Sequence, residues 1–125
     1  MAEGVFSKLD ESLQKALDDR GWTPTPVQQV TQDEVSSGGD RLIVAPTGSG
    51  KTMAAMLPLL DRSLKNGWQG MSILYITPLR ALNRDVDRRL EEIITAVGMR
   101  LGLRHGDTTQ SERSKQVRNP PNVMI

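Results

Sequence analysis

No cysteine occurs in the 125 residues, which excludes disulfides and thiolate metal sites and leaves the redox compartment open, with a lean towards the cytosol. Aromatic residues make up only 3% of the chain, two Trp, one Tyr and one Phe, so any core must be built from aliphatic side chains. Long hydrophobic runs are also missing. The apolar stretches Ala54 to Leu60 and Met71 to Ile76 fall far short of the roughly 20 residues that a membrane span needs. The first ten residues lack the basic-then-apolar layout of a signal peptide. A soluble, intracellular (cytoplasmic) protein with no membrane partner is therefore expected. Neither sign of charge dominates, since 16 basic residues face 15 acidic ones. There is no bulk positive field, so any nucleic-acid site has to be local.

What is present describes a folded domain. With 37% hydrophobic and 25% charged residues the chain can bury a core, and its length suits a single domain spanning residues 1–125. Ser7 is placed to cap a first helix with Asp10 in its opening turn, and Leu9, Leu13, Ala16 and Leu17 share one face before Gly21 ends it. Thr25, Pro26 and Gln28 spell the cap, first residue and capping-box partner of a second helix running to about Ser36. Leu42, Ile43, Val44 and Ala45 form an unbroken apolar run, the pattern of a strand buried on both faces. Met53, Met56, Leu57, Leu60 and Leu64 then recur at helical spacing, with Pro58 expected to bend that helix.

The alternation repeats. Ile73 to Ile76 reads as a second strand, Thr77 and Pro78 as a helix start, and Leu82, Val86, Leu90, Ile93 and Val97 as a buried stripe closed by Gly98. Met99 to Leu103 is a candidate third strand. Thr109 with Glu112 makes a capping box for a short polar helix, and Pro120 and Pro121 precede a last apolar run, Asn122 to Ile125. Strands alternating with helices at this spacing predict an α/β fold, a parallel sheet with flanking helices. Because the last apolar run reaches the C-terminus, the sheet is expected to be incomplete there and to continue in a parent polypeptide.

Between the first strand and its helix lies Ala45, Pro46, Thr47, Gly48, Ser49, Gly50, Lys51, Thr52, a phosphate loop in the expected context. The glycines let successive amides turn towards phosphates, and the helix N-terminus adds its positive end. Lys51 can reach the β and γ phosphates of ATP, as the candidate catalytic residue, and Thr52 offers its hydroxyl to Mg²⁺. Ala45 stands where the strict motif has its first glycine, a change the loop tolerates if that residue keeps an ordinary backbone conformation.

With three further segments, the chain resembles superfamily 2 helicases over nearly its whole length. Gly21 to Gln28 is similar to the Q motif, although the spacer between Trp22 and Pro24 to Gln28 is one residue shorter than in the common DEAD-box form. The resemblance implies that Gln28 recognises adenine and that Trp22 stacks near it, and Gln28 can serve as a capping residue as well. Tyr75 to Asp85 looks like motif Ia in the variant of large helicase-related (Lhr-type) and Ski2-like proteins, and His105, Gly106, Asp107, Thr108 resembles the Lhr-type segment after the third strand. The chain is thereby expected to be the N-terminal part of the first RecA-like lobe, with the P-loop NTPase fold. The first of these segments grips a nucleic-acid backbone in the family, which points to Thr77, Pro78, Leu79 and Arg80. His105, Gly106 and Asp107 are the second candidate contact.

Plainer readings stand beside these. Thr77 and Pro78 also make a good helix start, and Arg84 and Arg88 suit a solvated face paired with Asp87, Glu91 and Glu92. His105 is the only histidine, which argues against a metal site and leaves a nucleic-acid contact or an ordinary surface residue.

The helicase reading also predicts features the chain lacks. No Asp-Glu pair follows an apolar strand to hold Mg²⁺ and orient water, and no second lobe supplies an arginine finger. The expected parent is an ATP-dependent DNA or RNA helicase whose missing segments are partners of these residues. These 125 residues alone are expected to bind nucleotide weakly and to hydrolyse it little or not at all. Two other parent classes are a translocase or remodeller that never unwinds a duplex, and a self-contained phosphate-loop kinase or nucleotide-binding module. These residues are alternatively a structural piece with no binding of their own.

Overall fold

The computed structural model describes residues 4–77 and 84–125, with side chains throughout except at 84–87. These residues gather into two compact units that divide between Asn66 and Gly67.

The first unit is helical. A 3-10 turn, Gly4–Lys8, leads into α1, Glu11–Asp19, followed by α2, Pro26–Ser36, and α3, Lys51–Asn66. The start of α1 differs from the expected one. Ser7 lies in the 3-10 turn and donates to Gly4 O at 2.7 Å, while Asp10 is the N-cap, its carboxylate accepting from the Ser12 amide at 2.9 Å and hydroxyl at 2.6 Å. The Ser12 hydroxyl, then its amide, hold the Asp10 carboxyl below the usual aspartate range. The 3-10 turn uses the residues before Leu9, so the nearest acceptor to the new helix is Asp10. The end is as expected: Gly21, at φ +65°, donates to Asp18 O and Trp22 to Leu17 O, the two bonds of a Schellman stop.

Helix α2 has the predicted bounds, Pro26–Ser36. Helix α3 runs unbroken through a buried Pro58 and packs against α2. Phe6, Leu9, Leu13, Ala16, Leu17, Ala54, Met56, Leu57 and Leu60 form the apolar core, aliphatic but for Phe6. Each fully buried Leu contributes about 1.5–3 kcal/mol.

One polar clamp inside this unit was not foreseen. Asp61 on α3 is only 4% exposed, accepts from the Asp10 amide at 2.6 Å, and pairs with Lys65 at 3.1 Å. Lys65 in turn donates to Lys8 O at 2.8 Å, so α3 holds the junction between the 3-10 turn and α1. Removing Asp61 leaves the Asp10 amide without its acceptor. Asp61→Ala is expected to lower the unfolding free energy by about 2 kcal/mol in urea titration, with Asp61→Asn recovering part of it. A neutral Asp61→Ala would show that water replaces the clamp.

Leu42 to Ala45 does not form the predicted strand. Residues 41–46 have no regular structure, with Leu42 88% and Val44 83% exposed. The apolar run identifies residues suited to a buried strand. A strand also needs a neighbour to receive its amides and carbonyls, and none pairs with this run among the described residues.

The second unit is a three-stranded parallel sheet with helices. Its elements are β1, Ile73–Leu74; α4, Arg84–Ala96; β2, Leu101–Gly102; α5, Gln110–Arg118; and β3, Val123–Met124. The order is β1-β3-β2, with Ile73 and Leu101 both opposite Val123, so the last apolar run becomes the central strand. The strands are shorter than the predicted Ile73 to Ile76 and Met99 to Leu103, although Tyr75 still donates to Met124 O at 2.8 Å. Beyond that bond Ile76 is 84% exposed. The core contains Ile73, Leu90, Ile93, Ile94, Val123 and Met124. Of the predicted α4 stripe, Leu90 and Ile93 are buried and Val97 is half-buried, while Leu82 and the Val86 side chain lie outside the description. Gly98, at φ +80°, ends α4 with bonds to Thr95 O and from Met99 to Ile94 O.

Helix α5 starts as predicted, with the Thr109 side chain accepting from the Glu112 amide at 3.1 Å. At Gly102 close packing decides the residue: a Cβ there would lie 2.5 Å from Pro121 Cγ.

Candidate functional site

The candidate phosphate loop occupies residues 45–52 of the first unit. Ala45 has no positive φ, the condition under which it can replace glycine. Ser49 donates to Pro46 O at 3.2 Å, closing a turn whose third residue, Gly48, has φ +80° as a type II turn requires. Gly50, at φ +90°, redirects the chain into α3, and its carbonyl accepts the Ala54 amide at 2.9 Å. Lys51 and Thr52 form the first turn of that helix, where amides have no intrahelical acceptor and the dipole is positive.

Gln28 connects this loop to α2. Its Oε1 accepts from the Thr25 amide at 3.0 Å, the predicted capping bond, and its Nε2 donates to Gly50 O at 3.2 Å. The carboxamide retains one acceptor lone pair and one N–H. Ser49 Oγ is buried with no hydrogen-bond partner. A buried, unsatisfied hydroxyl beside a helix N-terminus favours a ligand carrying acceptors, as a phosphate chain does. Thr25 was read from the sequence only as a cap. Its approach to Gly50 joins residues 25 apart in the chain, and no local pattern encodes that. Trp22 is half-buried, its amide held in the Schellman stop.

The other candidates lie in the second unit. Its strands are parallel, so the segments after β1 and β2, which carry Thr77 and His105, leave the sheet at the same end. Pro78, Leu79 and Arg80 lie outside the described residues, as does the side chain of Arg84. Arg88 is exposed.

His105, Gly106, Asp107 and Thr108 form a tight exposed turn. The His105 amide donates to Thr108 Oγ1 at 2.8 Å, the Thr108 amide to His105 O at 3.0 Å, and the Asp107 amide to His105 Nδ1 at 3.1 Å. Arg113 straps it to α5, with Nε donating to Thr108 O at 3.1 Å and Nη2 to His105 O at 2.9 Å. Sequence reasoning passed over Arg113, since nothing in a polar helix marks one arginine as a strap. No group of three or more metal-ligating side chains occurs among the described residues. No helix among them is long and apolar enough to cross a membrane.

Residues 25–125 match the sequence profile of the DEAD/DEAH box helicases, a span that includes the capping segment, the loop and both candidate strand-end turns. The chain belongs to the DEAD/DEAH box helicase family. Among its helicase relatives, the Lhr helicase/uracil glycosylase of Escherichia coli is 40% identical over 82% of the chain and 8% of its own length. The ATP-dependent helicase Lhr-Core of Methanocaldococcus jannaschii is 32% identical over 98% of the chain and 17% of its own length. The solved structure of Mycobacterium smegmatis helicase Lhr bound to ssDNA and AMP-PNP superposes with a TM-score of 0.83 at 32% identity, covering 98% of this chain and 17% of that one. The chain therefore spans less than a fifth of the length of these helicases. The parallel sheet with flanking helices is that of the RecA-like helicase core, and the Lhr-type resemblance holds.

Proposed function

We propose that the chain forms the ATP-binding part of a helicase that couples ATP hydrolysis to translocation along, or unwinding of, nucleic acid. The observation carrying this reading is the loop at the N-terminus of α3, where the buried Ser49 hydroxyl has no partner and Lys51 and Thr52 open the helix. In this reading the amides of residues 48–52 and the Ser49 hydroxyl cradle the phosphates, and Lys51 neutralises charge on the outer two. Gln28 offers the adenine base its remaining lone pair and N–H, and Trp22 lies beside the base. Thr52 would hold Mg²⁺, which when bound draws charge from the phosphate oxygens.

Nucleic acid is proposed to meet the strand-end segments, Thr77 to Arg80 and the turn His105 to Asp107. A threonine hydroxyl and an arginine in the first segment suit a sugar-phosphate backbone, which carries no sequence information and needs only position. The M. smegmatis relative, whose structure contains ssDNA and AMP-PNP, supports both halves of the reading. Lhr-type relatives do not favour a small-molecule kinase.

A calorimetric titration with ATP·Mg²⁺, GTP serving as competitor and a short mixed-sequence DNA strand as second ligand, tests the reading. Saturable ATP binding that GTP displaces poorly, and separate binding of the strand, are expected. A folded protein that binds neither would overturn it.

A further inference from the structure

Helix α5 buries none of its residues, and the two hollows beside it differ in charge. Between it and β2 a cavity of about 620 Å³ carries both signs, with Arg100, Lys115 and Arg118 among Asp107 and Glu112. Charge there is partly settled, since Lys115 lies 3.7 Å from Glu112 and Arg100 donates to Asn119 Oδ1 and Pro120 O.

The second hollow, of about 560 Å³, is lined by Arg104, Arg113 and Arg118 with Ser111 and Ser114, and no carboxylate lines it among the described residues. The side chains of Arg104 and Arg118 make no hydrogen bond or ion pair to any described residue. Elsewhere Lys8, Lys15, Arg41 and Lys65 each have a carboxylate within reach. Residues 111, 114 and 118 follow helical spacing, so one face of α5 presents hydroxyls and a guanidinium together. Arg118 also borders the first cavity, but on this side the three arginines face no carboxylate among the described residues, an arrangement that favours an anion. Spaced along a helix, they match a chain of phosphates better than one compact ion. Val117 is the single apolar residue in the lining, which leaves no buried anchor of the kind protein interfaces depend on. The hollow also adjoins the His105 to Thr108 turn through Arg113, whose guanidinium is bonded to that turn.

We propose that this face of α5 binds the phosphodiester backbone of a nucleic acid, as an additional contact beyond the His105 to Asp107 turn. The proposal rests on the nucleic-acid reading above. Arg104 and Arg118 supply charge-assisted bonds, Ser111 and Ser114 neutral donors, and Arg113 keeps the turn and the helix in one register.

The test is the double variant Arg104→Gln/Arg118→Gln. Both side chains are exposed, so the thermal midpoint should match wild type. Arg113 is left in place because it holds the turn. Binding of a fluorescein-labelled, mixed-sequence DNA single strand is followed by anisotropy across a salt series. The variant is expected to bind about tenfold more weakly, with a log-log salt slope shallower by about 1.4. Its ATP affinity without DNA should be unchanged.

Wild-type affinity and slope in the variant would overturn the α5 contact and leave the nucleic-acid reading standing, with an acidic protein segment as the remaining occupant. Weaker binding at an unchanged slope would also overturn it, since no phosphate contact would have been lost. A wild-type protein that fails to bind the strand would defeat the underlying reading and the proposal with it.

Discussion

Lys51→Ala is expected to weaken ATP binding by about a hundredfold, the effect of losing one hydrogen bond to a charged group, without altering the thermal midpoint. Both halves of that expectation come from the same geometry. Lys51 opens α3 and is half-buried, and its side chain makes no hydrogen bond or ion pair among the described residues, so the fold gives up little when it is cut back. The phosphates lose a cation at the point where the helix dipole already favours negative charge, and that interaction has no substitute in the loop. Calorimetry on the wild type and variant, with a melting curve for each, checks it. Equal affinities would remove the loop as the nucleotide site. A large drop in melting temperature would instead assign Lys51 a structural role.

Gly50→Ala is expected to cost about 3 kcal/mol of folding stability and to abolish detectable ATP binding, whereas Gly48→Ala should cost about 1 kcal/mol. The two glycines share a left-handed conformation, with φ +90° and +80°, so the backbone penalty is similar. Their surroundings differ. A Cβ on Gly48 meets nothing within 4 Å, while one on Gly50 lies 2.7 Å from Gln28 Nε2 and 3.0 Å from Thr25 Oγ1. Gln28 can swing aside only by releasing the Gly50 carbonyl, and that frees the loop from α2. Urea titration of both variants separates the contributions. Equal losses would mean that backbone strain alone sets the cost and that Gln28 gives way freely.

The sequence alone determined the features whose partners lie within about one turn of the chain. Helix α2 has its predicted bounds because Thr25, Pro26 and Gln28 are neighbours, and the same holds for the start of α5 at Thr109 and the stops at Gly21 and Gly98. The glycine turn that leads into α3 was legible for a related reason: spacing, glycines and the following helix are all local. Tertiary structure decided whatever needed a partner far along the chain. The run Leu42 to Ala45 has strand composition, but pairing is a property of two segments, and it remains exposed without one. Asp10 replaced Ser7 as the cap of α1, and its amide found Asp61, 51 residues away. Arg113 became the strap of the His105 turn, and Gly102 was required by Pro121. Short-range hydrogen bonds and backbone preferences act before the chain is folded and leave their signature in adjacent letters. Burial, long-range pairing and the meeting of charges exist only once distant segments have been brought together.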